Sequence, residues 1–249
     1  MKKKTYVVGV AVLLAALLAL AGVAQAAMWV GAELGGNFTA NSDIKINGNS
    51  TGSNTSFSPA VIGGATIGYD FVNAGFGAYA WPDWMKYFSI ATDITYNRLN
   101  VNSSSGNNGL AAALAPGSRL EGSAFAWTWM LMAHYGFLPD SEIPTGRINP
   151  YIGVGPAIVW TTIDGGSIGT GPVPATGVAG GTFHSIGGAS STNIALVAEA
   201  GIRWVCFKQV SVDTAYRFRW LEPSWSAGPV TVSAPLYMHS FLVRANYHF

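Results

Sequence analysis

The sequence predicts an all-β protein, an eight-stranded antiparallel up-and-down transmembrane β-barrel, from three observations. Segments of about ten residues alternate between apolar and polar positions, and breaks rich in Gly, Ser, Asn, Thr and Pro separate them. Only 10% of the 249 residues are charged, and the mean hydropathy is positive at +0.30. Beyond the amino-terminal segment, no apolar run approaches the roughly 18 residues that a membrane helix needs.

Residues 1–26 have the pattern of a signal peptide. MKKK supplies a basic start, an apolar run follows, and Ala24-Gln25-Ala26 forms a small-x-small cleavage site. The alternative is an uncleaved membrane anchor, because the apolar run is long enough to span a bilayer. With cleavage, the barrel domain comprises residues 27–249.

Charge and cysteine content exclude several classes of partner. Removal of the three amino-terminal lysines leaves 10 basic residues against 12 acidic ones, so nucleic acid is not expected as a partner. Cys206 is the single cysteine and cannot form an internal disulfide. The four histidines and Cys206 show no metal-ligand spacing, so neither a metal nor another cofactor is expected.

Eight segments with a period of two are the predicted strands. They are residues 28–38, 59–71, 87–99, 123–137, 149–162, 193–206, 210–220 and 236–249. The first, third and sixth segments carry Glu33, Asp93 and Glu199 on the parity opposite their apolar residues. In the fourth segment, His134 shares the inward parity with two methionines.

The last two segments show the alternation most clearly. In residues 210–220 one parity is mainly apolar, and the other holds Ser211, Asp213, Ala215, Arg217 and Arg219. The final segment, HSFLVRANYHF, alternates to Phe249. A chain that ends within a strand is expected when the last strand pairs with the first, because a closed sheet has no edge.

A soluble sandwich would also alternate, but its water-facing positions would be rich in Lys and Glu. Here those positions hold small residues and a few charges, which favours a barrel with apolar side chains toward lipid. The interior of an eight-stranded barrel is only wide enough to be filled by side chains. Glycines on the inward parity make room for the charged groups: Gly31, Gly35, Gly64, Gly68, Gly153, Gly155 and Gly201.

The breaks alternate in length, which predicts an orientation. The long breaks are 39–58, 100–122, 163–192 and 221–235, and the shorter ones are 72–86, 138–148 and 207–209. Long loops are expected outside and short turns in the periplasm. A weak helical pattern, 107–117, lies in the second long loop. Aromatic residues near strand ends are the predicted interface girdles: Trp29, Trp84, Trp127, Trp204, Trp220, Tyr247 and Phe249.

Several segments resemble a known family. MWVGAELG, INPYIGVGPAI, GIRW with VSVDTAYRFRW, and ANYHF are similar in order and spacing to strands of the small eight-stranded outer-membrane β-barrels. That porin-like family is typified by the OmpA membrane domain and its OmpX- and Ail-like relatives. The resemblance implies a Gram-negative-type outer membrane, contact with its lipids, and recognition of Tyr247 and Phe249 by the barrel-assembly machinery. No peptidoglycan-binding domain follows Phe249, so wall tethering is not expected.

The lumen is predicted to hold an ionic network. Its members are Glu33, Asp93, Glu199, Arg203, Asp213, Arg217, Arg219 and Arg244. In a dry interior these groups must pair, because an isolated buried charge is very costly. The same residues suit either an ionic plug, in which every charge is paired and the lumen is closed, or a gate, in which the ion pairs exchange to open a narrow conduit.

Three functions remain open at this stage. The first is a non-enzymatic envelope-structural or surface-interaction role, in which the long loops, rich in Asn, Ser, Thr and Gly, contact an unknown extracellular partner or are simply exposed. The second is a low-conductance pore gated by the ionic network. The third is an outer-membrane lipid-modifying enzyme that uses His134 or His239. Because His239 and Ser240 are adjacent on a strand, they point to opposite faces, and no catalytic residue or enzymatic activity is predicted.

The role of the 72–86 connection, beyond interface anchoring by Trp81 and Trp84, is left open.

Overall fold

The structure, a computed structural model, describes residues 28–71, 81–101, 121–165, 167–169, 183–185, 187–227 and 230–249. Within these residues, the main sheet contains the two-residue strand Phe57–Ser58 and eight long strands. They are β1 (Met28–Thr39), β2 (Ala60–Asp70), β3 (Phe88–Val101), β4 (Glu121–His134), β5 (Ile148–Gly165), β6 (Ser190–Phe207), β7 (Val210–Leu221) and β8 (Leu236–His248).

The sheet is closed and antiparallel throughout. Each strand pairs with its neighbours in the sequence, and β8 pairs with β1 from His248 opposite Trp29 to Met238 opposite Thr39. The predicted fold class is therefore confirmed, and the predicted strands agree with the observed ones to within a few residues at their ends. The largest difference at a short turn is in β4, which ends at His134 and continues only as an isolated bridge between Phe137 and Ile148.

The two ends of the barrel differ. At one end, called here the short-turn end, the connections are 71–87, 135–147 and 208–209; at the other, the long-loop end, they are 40–59, 102–120, 166–189 and 222–235. Several predictions lie outside the described residues: the signal peptide 1–26, the helical pattern 107–117, residues 72–80 of the first short-end connection, most of the loop 100–122 and half of the loop 163–192.

The outer wall of the barrel is apolar. Its exposed aliphatic and central aromatic side chains include Leu34, Val61, Ile94, Leu131, Ile152, Val154, Leu196, Phe241 and Val243. Exposed aromatics flank this band at the short-turn end (Trp84, Tyr87, Tyr135, Phe137, Trp204, Phe207, Tyr247) and at the long-loop end (Phe38, Phe125, Trp160, Trp220, Tyr237). An apolar band between two aromatic girdles is the surface of a transmembrane barrel.

Trp29 corrects one of the girdle predictions. It is fully buried in the lumen rather than exposed at the interface. The reason is its parity, because it lies on the same face of β1 as Glu33. Trp84, Trp127, Trp204, Trp220 and Tyr247 do point outward.

The connection between β2 and β3 ends in a short 3₁₀ helix, Asp83–Tyr87. Trp81 donates its indole N–H to the Tyr69 hydroxyl at 3.3 Å and packs edge-on against Phe71. The described part of this connection is therefore an aromatic cluster beside the short-turn girdle. Among the residues described, no helix is both long and apolar enough to cross a bilayer.

A second sheet at the long-loop end was not predicted. The segments 39–58 and 221–235 are predicted only as long outer loops, whereas in the structure they form four strands in the order Ser224–Ala227, Val230–Ser233, Ser42–Ile46, Asn49–Thr55, called here the outer sheet. The turn between its last two strands is Asn47-Gly48, with positive φ at both residues. This is the dipeptide that two-residue hairpins prefer, because their turns require φ > 0 at both positions.

Gly68→Ala is expected to destabilise the barrel. A Cβ at position 68 would lie 2.1 Å from Trp29 Cζ2, so the buried indole would have to move. Overpacking of this kind costs about 1–3 kcal/mol. The measurement is the free energy of unfolding in urea of the protein in lipid vesicles, with tryptophan fluorescence as the signal. Gly63→Ala is the matched control, because its Cβ would meet nothing closer than 3.7 Å. Equal stability of the two variants would contradict the packing argument.

Candidate functional site in the lumen

The structure places the eight predicted network residues inside the barrel, each no more than 7% exposed. Four of them form one row across adjacent strands, because Glu33 pairs with Arg244, Arg244 with Asp213, and Asp213 with Arg203. The charges alternate in sign along this row. A neighbouring row carries Glu199 opposite Arg217. Parity and register thus bring these charged groups together in the lumen.

Arg244 is the centre of the first row. It donates to Glu33 Oε2 from Nε (3.0 Å) and Nη2 (2.8 Å), to Glu199 Oε1 (3.3 Å) and to Asp213 Oδ2 (3.4 Å). Contact with three carboxylates offsets the cost of burying the guanidinium, which would be several kcal/mol for an unpaired ion.

Arg217 crosses the lumen. Its Nη atoms donate to both oxygens of Asp93 at 3.1 and 2.9 Å, while its Nε donates to Glu199 at 2.6 Å. Asp93 lies on β3 and Arg217 on β7, which are on opposite sides of the eight-stranded ring. A bidentate pair fixes both position and orientation, so this contact closes the middle of the lumen.

Arg203 connects the network to the short-turn end. It donates to Asp213 at 3.1 Å, lies 3.6 Å from Asp70, and stacks over Trp29 with its guanidinium carbon 4.5 Å from the ring centroid. Trp29 in turn donates to Asp70 at 3.1 Å. Asp70 and Tyr151, whose hydroxyl donates to Glu199 at 3.0 Å, are network members that the sequence analysis missed. The inward parity of their strands was the signal that could have found them.

Arg219 differs from the other three arginines. It is 2% exposed, donates one hydrogen bond to Thr95 Oγ1 at 3.2 Å, and its Nε has no partner among the described residues. All 12 acidic residues of the chain are described, and none lies within the 4.0 Å of an ion pair with Arg219. It is thus a buried guanidinium whose charge is balanced only at longer range.

Above Arg219, toward the long-loop end, the lumen becomes apolar. This apolar plug consists of buried side chains from the barrel and from the segments above it: Leu99, Val159, Ile163, Val197, Leu221, Leu236 and Met238, capped by Ile44, Trp225, Val232 and Ala234. Trp225 follows β7 in the outer sheet and donates to Thr161 Oγ1 on β5 at 3.0 Å. The lumen is therefore closed twice, by the ionic network and by the apolar plug.

The short-turn end is open instead. A cavity of about 620 Å³, called here the vestibule, extends from this end to the network. Its lining includes Asp70, His134, Asn149, Arg203 and His248, with Lys86 and Lys208 also lining it.

The connection 135–147 forms one wall of the vestibule. Asp140 Oδ1 accepts hydrogen bonds from the backbone N–H groups of Ile143 (2.7 Å) and Glu142 (2.9 Å), and Arg147 binds both acidic side chains. The Ile143 N–H, followed by Arg147, holds the pKa of Asp140 below its usual value, and hydrogen bonding to Asp140 raises the pKa of Arg147.

The histidine candidates do not form a catalytic arrangement in the part of the chain that is described. His134 lies in the vestibule wall, whereas His239 points to the outside of the barrel and is bonded to the Tyr216 hydroxyl at 2.6 Å. Ser240 is buried in the lumen, as expected for a residue that follows His239 on the strand and therefore points to the opposite face. Nor do the described residues contain a group of three His, Cys, Asp or Glu side chains that could hold a metal.

Tyr247 and Phe249 lie at the short-turn end, with their rings 5.2 Å apart. The Phe249 N–H donates to the Met28 carbonyl at 3.1 Å, so the last residue is tied to the first strand. Recognition of these residues by an assembly machinery remains a prediction.

Fold and lumen together define a transmembrane β-barrel of the small eight-stranded class. No protein-family model matches the chain, and no curated protein matches it. Solved structures do, among them the outer membrane protein OprG from Pseudomonas aeruginosa, at 13% sequence identity and a TM-score of 0.51, covering 90% of this chain and 97% of that one.

Two further similar structures have lower TM-scores. Neisserial surface protein A is 12% identical, with a TM-score of 0.45 and coverage of 89% of this chain and 97% of that one. Ail, the attachment invasion locus protein of Yersinia pestis, in complex with the heparin analogue sucrose octasulfate, is 12% identical, with a TM-score of 0.37 and coverage of 90% and 99%. The likeness to OprG, together with the closed eight-stranded barrel, confirms the predicted resemblance to small outer-membrane barrels as a likeness of fold.

Arg217→Met and Arg219→Met are expected to differ in stability. Loss of Arg217 leaves Asp93 and Glu199 short of a partner, and breaking a buried ion pair costs about 3–5 kcal/mol. Loss of Arg219 removes one hydrogen bond, worth about 1 kcal/mol. Urea unfolding in lipid vesicles measures both variants against the unchanged protein. An Arg219→Met loss as large as that of Arg217→Met would show that longer-range charge balance, not direct contact, holds the network together.

The Asp140 turn is expected to loosen in acid. Because the pKa of Asp140 is lower folded than unfolded, its contribution is present above the ordinary aspartate pKa of about 3.9 and is lost as pH falls through the folded value. The readout is the hydrogen-exchange protection of the Ile143 amide. Asp140→Ala should lose this protection at neutral pH and show no such acid transition, whereas Glu142→Gln should retain both. Protection that persists in Asp140→Ala would refute the role of the carboxylate.

Proposed function

We propose that this chain is a non-enzymatic outer-membrane protein with an envelope-structural or surface-interaction role carried by its long-loop end. The observation that carries the proposal is the double closure of the lumen. Arg217 bridges the ring to Asp93, and the apolar plug fills the space above it. A barrel that is packed in this way has its accessible chemistry at its ends rather than along its axis.

The apolar wall supports placement in a membrane, because its exposed aliphatic side chains would be costly in water. The fold likeness to OprG, itself an outer membrane protein, supports the outer membrane in particular. In the proposed orientation the long-loop end is extracellular and the short-turn end is periplasmic. Export would depend on residues 1–26 as a signal peptide, and insertion on recognition of Tyr247 and Phe249.

The outer sheet supports a role for the loops. It combines strands from two loops far apart in the sequence, and Val232 of one pairs with Ile46 of the other. The Thr231 N–H donates to Asn47 Oδ1 at 2.8 Å, which adds a side-chain link between the loops. Because this pairing orders the two loops before a partner binds, the entropic cost of binding is lower than it would be for flexible loops.

The deciding experiment replaces the hairpin 42–55 by a short Gly-Ser turn in the full chain. Loss of surface binding, or of the barrier to large antibiotics, is expected in cells that express this variant. Arg203→Ala is the matched control, because it alters the lumen and leaves the outer sheet intact. Heat-modifiable mobility on SDS gels verifies that both variants form the barrel. The proposal fails if the hairpin replacement leaves every surface and envelope phenotype unchanged while Arg203→Ala changes them.

A second function, a low-conductance pore gated by the network, has two observations in its favour. The vestibule reaches Arg203, and Arg244 contacts three carboxylates at once, so a pair could exchange without leaving the guanidinium unpaired. Arg203→Ala or Arg244→Ala would then alter single-channel currents in planar bilayers. Identical traces for variant and unchanged protein would eliminate the pore.

A further inference from the structure

The vestibule has the size of a ligand site. Its volume of about 620 Å³ falls within the range of small-molecule pockets, roughly 300–1,000 Å³. It is bounded by the ends of β2, β3, β4, β5, β6 and β8 and by the connections 135–147 and 208–209. That connection is held in its fold by the Asp140 and Arg147 contacts, so the wall is formed before any ligand arrives.

The vestibule has two exposed lysines, Lys86 and Lys208, in addition to the paired Arg203, and Lys86 lies over the Tyr87 ring at 5.3 Å. Its lining carboxylates have partners. Asp70 accepts from Trp29 and lies beside Arg203, and Glu142 is paired with Arg147 at 3.1 Å. By contrast, none of the chain's 12 acidic residues, all of them described, lies within the 4.0 Å of an ion pair with Lys86 or Lys208. Lys86 and Lys208 are thus the lining cations that lack an ion pair with an acidic side chain.

The remaining lining combines an unsatisfied polar atom with an apolar surface. His134 Nε2 is buried at the wall of the cavity and has no hydrogen-bond partner among the described residues. Such an atom is destabilising unless another group bonds to it. Beside it, Met132, Ile143 and Pro144 offer an apolar surface.

From these features we propose that the vestibule binds a small organic anion, that is, a carboxylate or phosphate group on an apolar body. Lys86 and Lys208 would attract and hold the anionic group, and the apolar lining would cover the body. This site lies at the end of the barrel opposite to the outer sheet, so it goes beyond the proposed function and does not depend on it.

The anionic group could belong to a dissolved molecule or to the headgroup of a neighbouring lipid. The experiment uses the full folded chain in nanodiscs, with ¹⁵N-labelled histidine, and follows the His134 imidazole resonance. Benzoate and phenyl phosphate are the anionic probes, and benzyl alcohol is the neutral control. A second set of nanodiscs replaces part of the phosphatidylcholine with phosphatidylglycerol.

A saturable His134 shift with benzoate or phenyl phosphate, absent with benzyl alcohol, is the expected result for a dissolved anion. The double variant Lys86→Gln with Lys208→Gln should weaken the apparent affinity by at least about tenfold, because charge-assisted contacts are lost. A shift that follows the phosphatidylglycerol content, and that disappears in the double variant, would instead identify a lipid headgroup as the source of the anion.

Two outcomes would overturn the proposal. One is a resonance that responds to none of the anions or to benzyl alcohol equally; the other is a response that the double variant leaves unchanged. His239→Asn is the control for indirect effects. His239 lies on the outside of the barrel, so this variant should leave the response of His134 to the anions unchanged. Surface binding by the double variant tests the outer-sheet function separately, so the two proposals can fail independently.

Discussion

The pairing of buried charge is the constraint on which the rest of this structure depends. A ring of eight strands leaves an interior that side chains must fill, and this interior contains four arginines. Three of them, Arg203, Arg217 and Arg244, contact carboxylates at positions set by the strand register, because a guanidinium left alone in a dry lumen is very costly. In the row Glu33, Arg244, Asp213, Arg203, each charge lies directly opposite a charge of the other sign on the neighbouring strand. The strand register therefore determines which charges pair, and a shift in register would separate them.

Small residues are the other half of this arrangement. Gly68 leaves space for the Trp29 ring, and Gly201 for the ring of Tyr151, each at a point where a Cβ would collide. Trp29 then lies under Arg203 and bonds to Asp70, while Tyr151 bonds to Glu199. The glycines thus allow large side chains to reach the ionic groups. Those side chains supply hydrogen bonds that the backbone cannot supply, because its N–H and C=O groups are already paired between strands.

The period of two predicted nearly all of the barrel, because parity alone decides which side chains face the lumen. Where residue type replaced parity, the prediction was wrong: Trp29 was assigned to the interface because it is aromatic and near a strand end. The outer sheet was missed because its loops were judged by composition, although Asn47-Gly48 is a strong hairpin signal. The contact of Arg217 with Asp93 across the ring could not be predicted, since it depends on how the closed sheet is staggered rather than on either strand.

The same cross-lumen contact bears on how the barrel is made. Arg217 and Asp93 are 124 residues apart, and Arg244 and Glu33 are 211 apart, across the seam between β8 and β1. Arg244 also contacts Asp213 on the adjacent strand β7, so Glu33 is the ion whose partner depends on the seam. A barrel closed in a shifted register would place another residue opposite Glu33 and leave a buried carboxylate without its guanidinium, which is very costly. The seam therefore discriminates by charge between one register of closure and its neighbours.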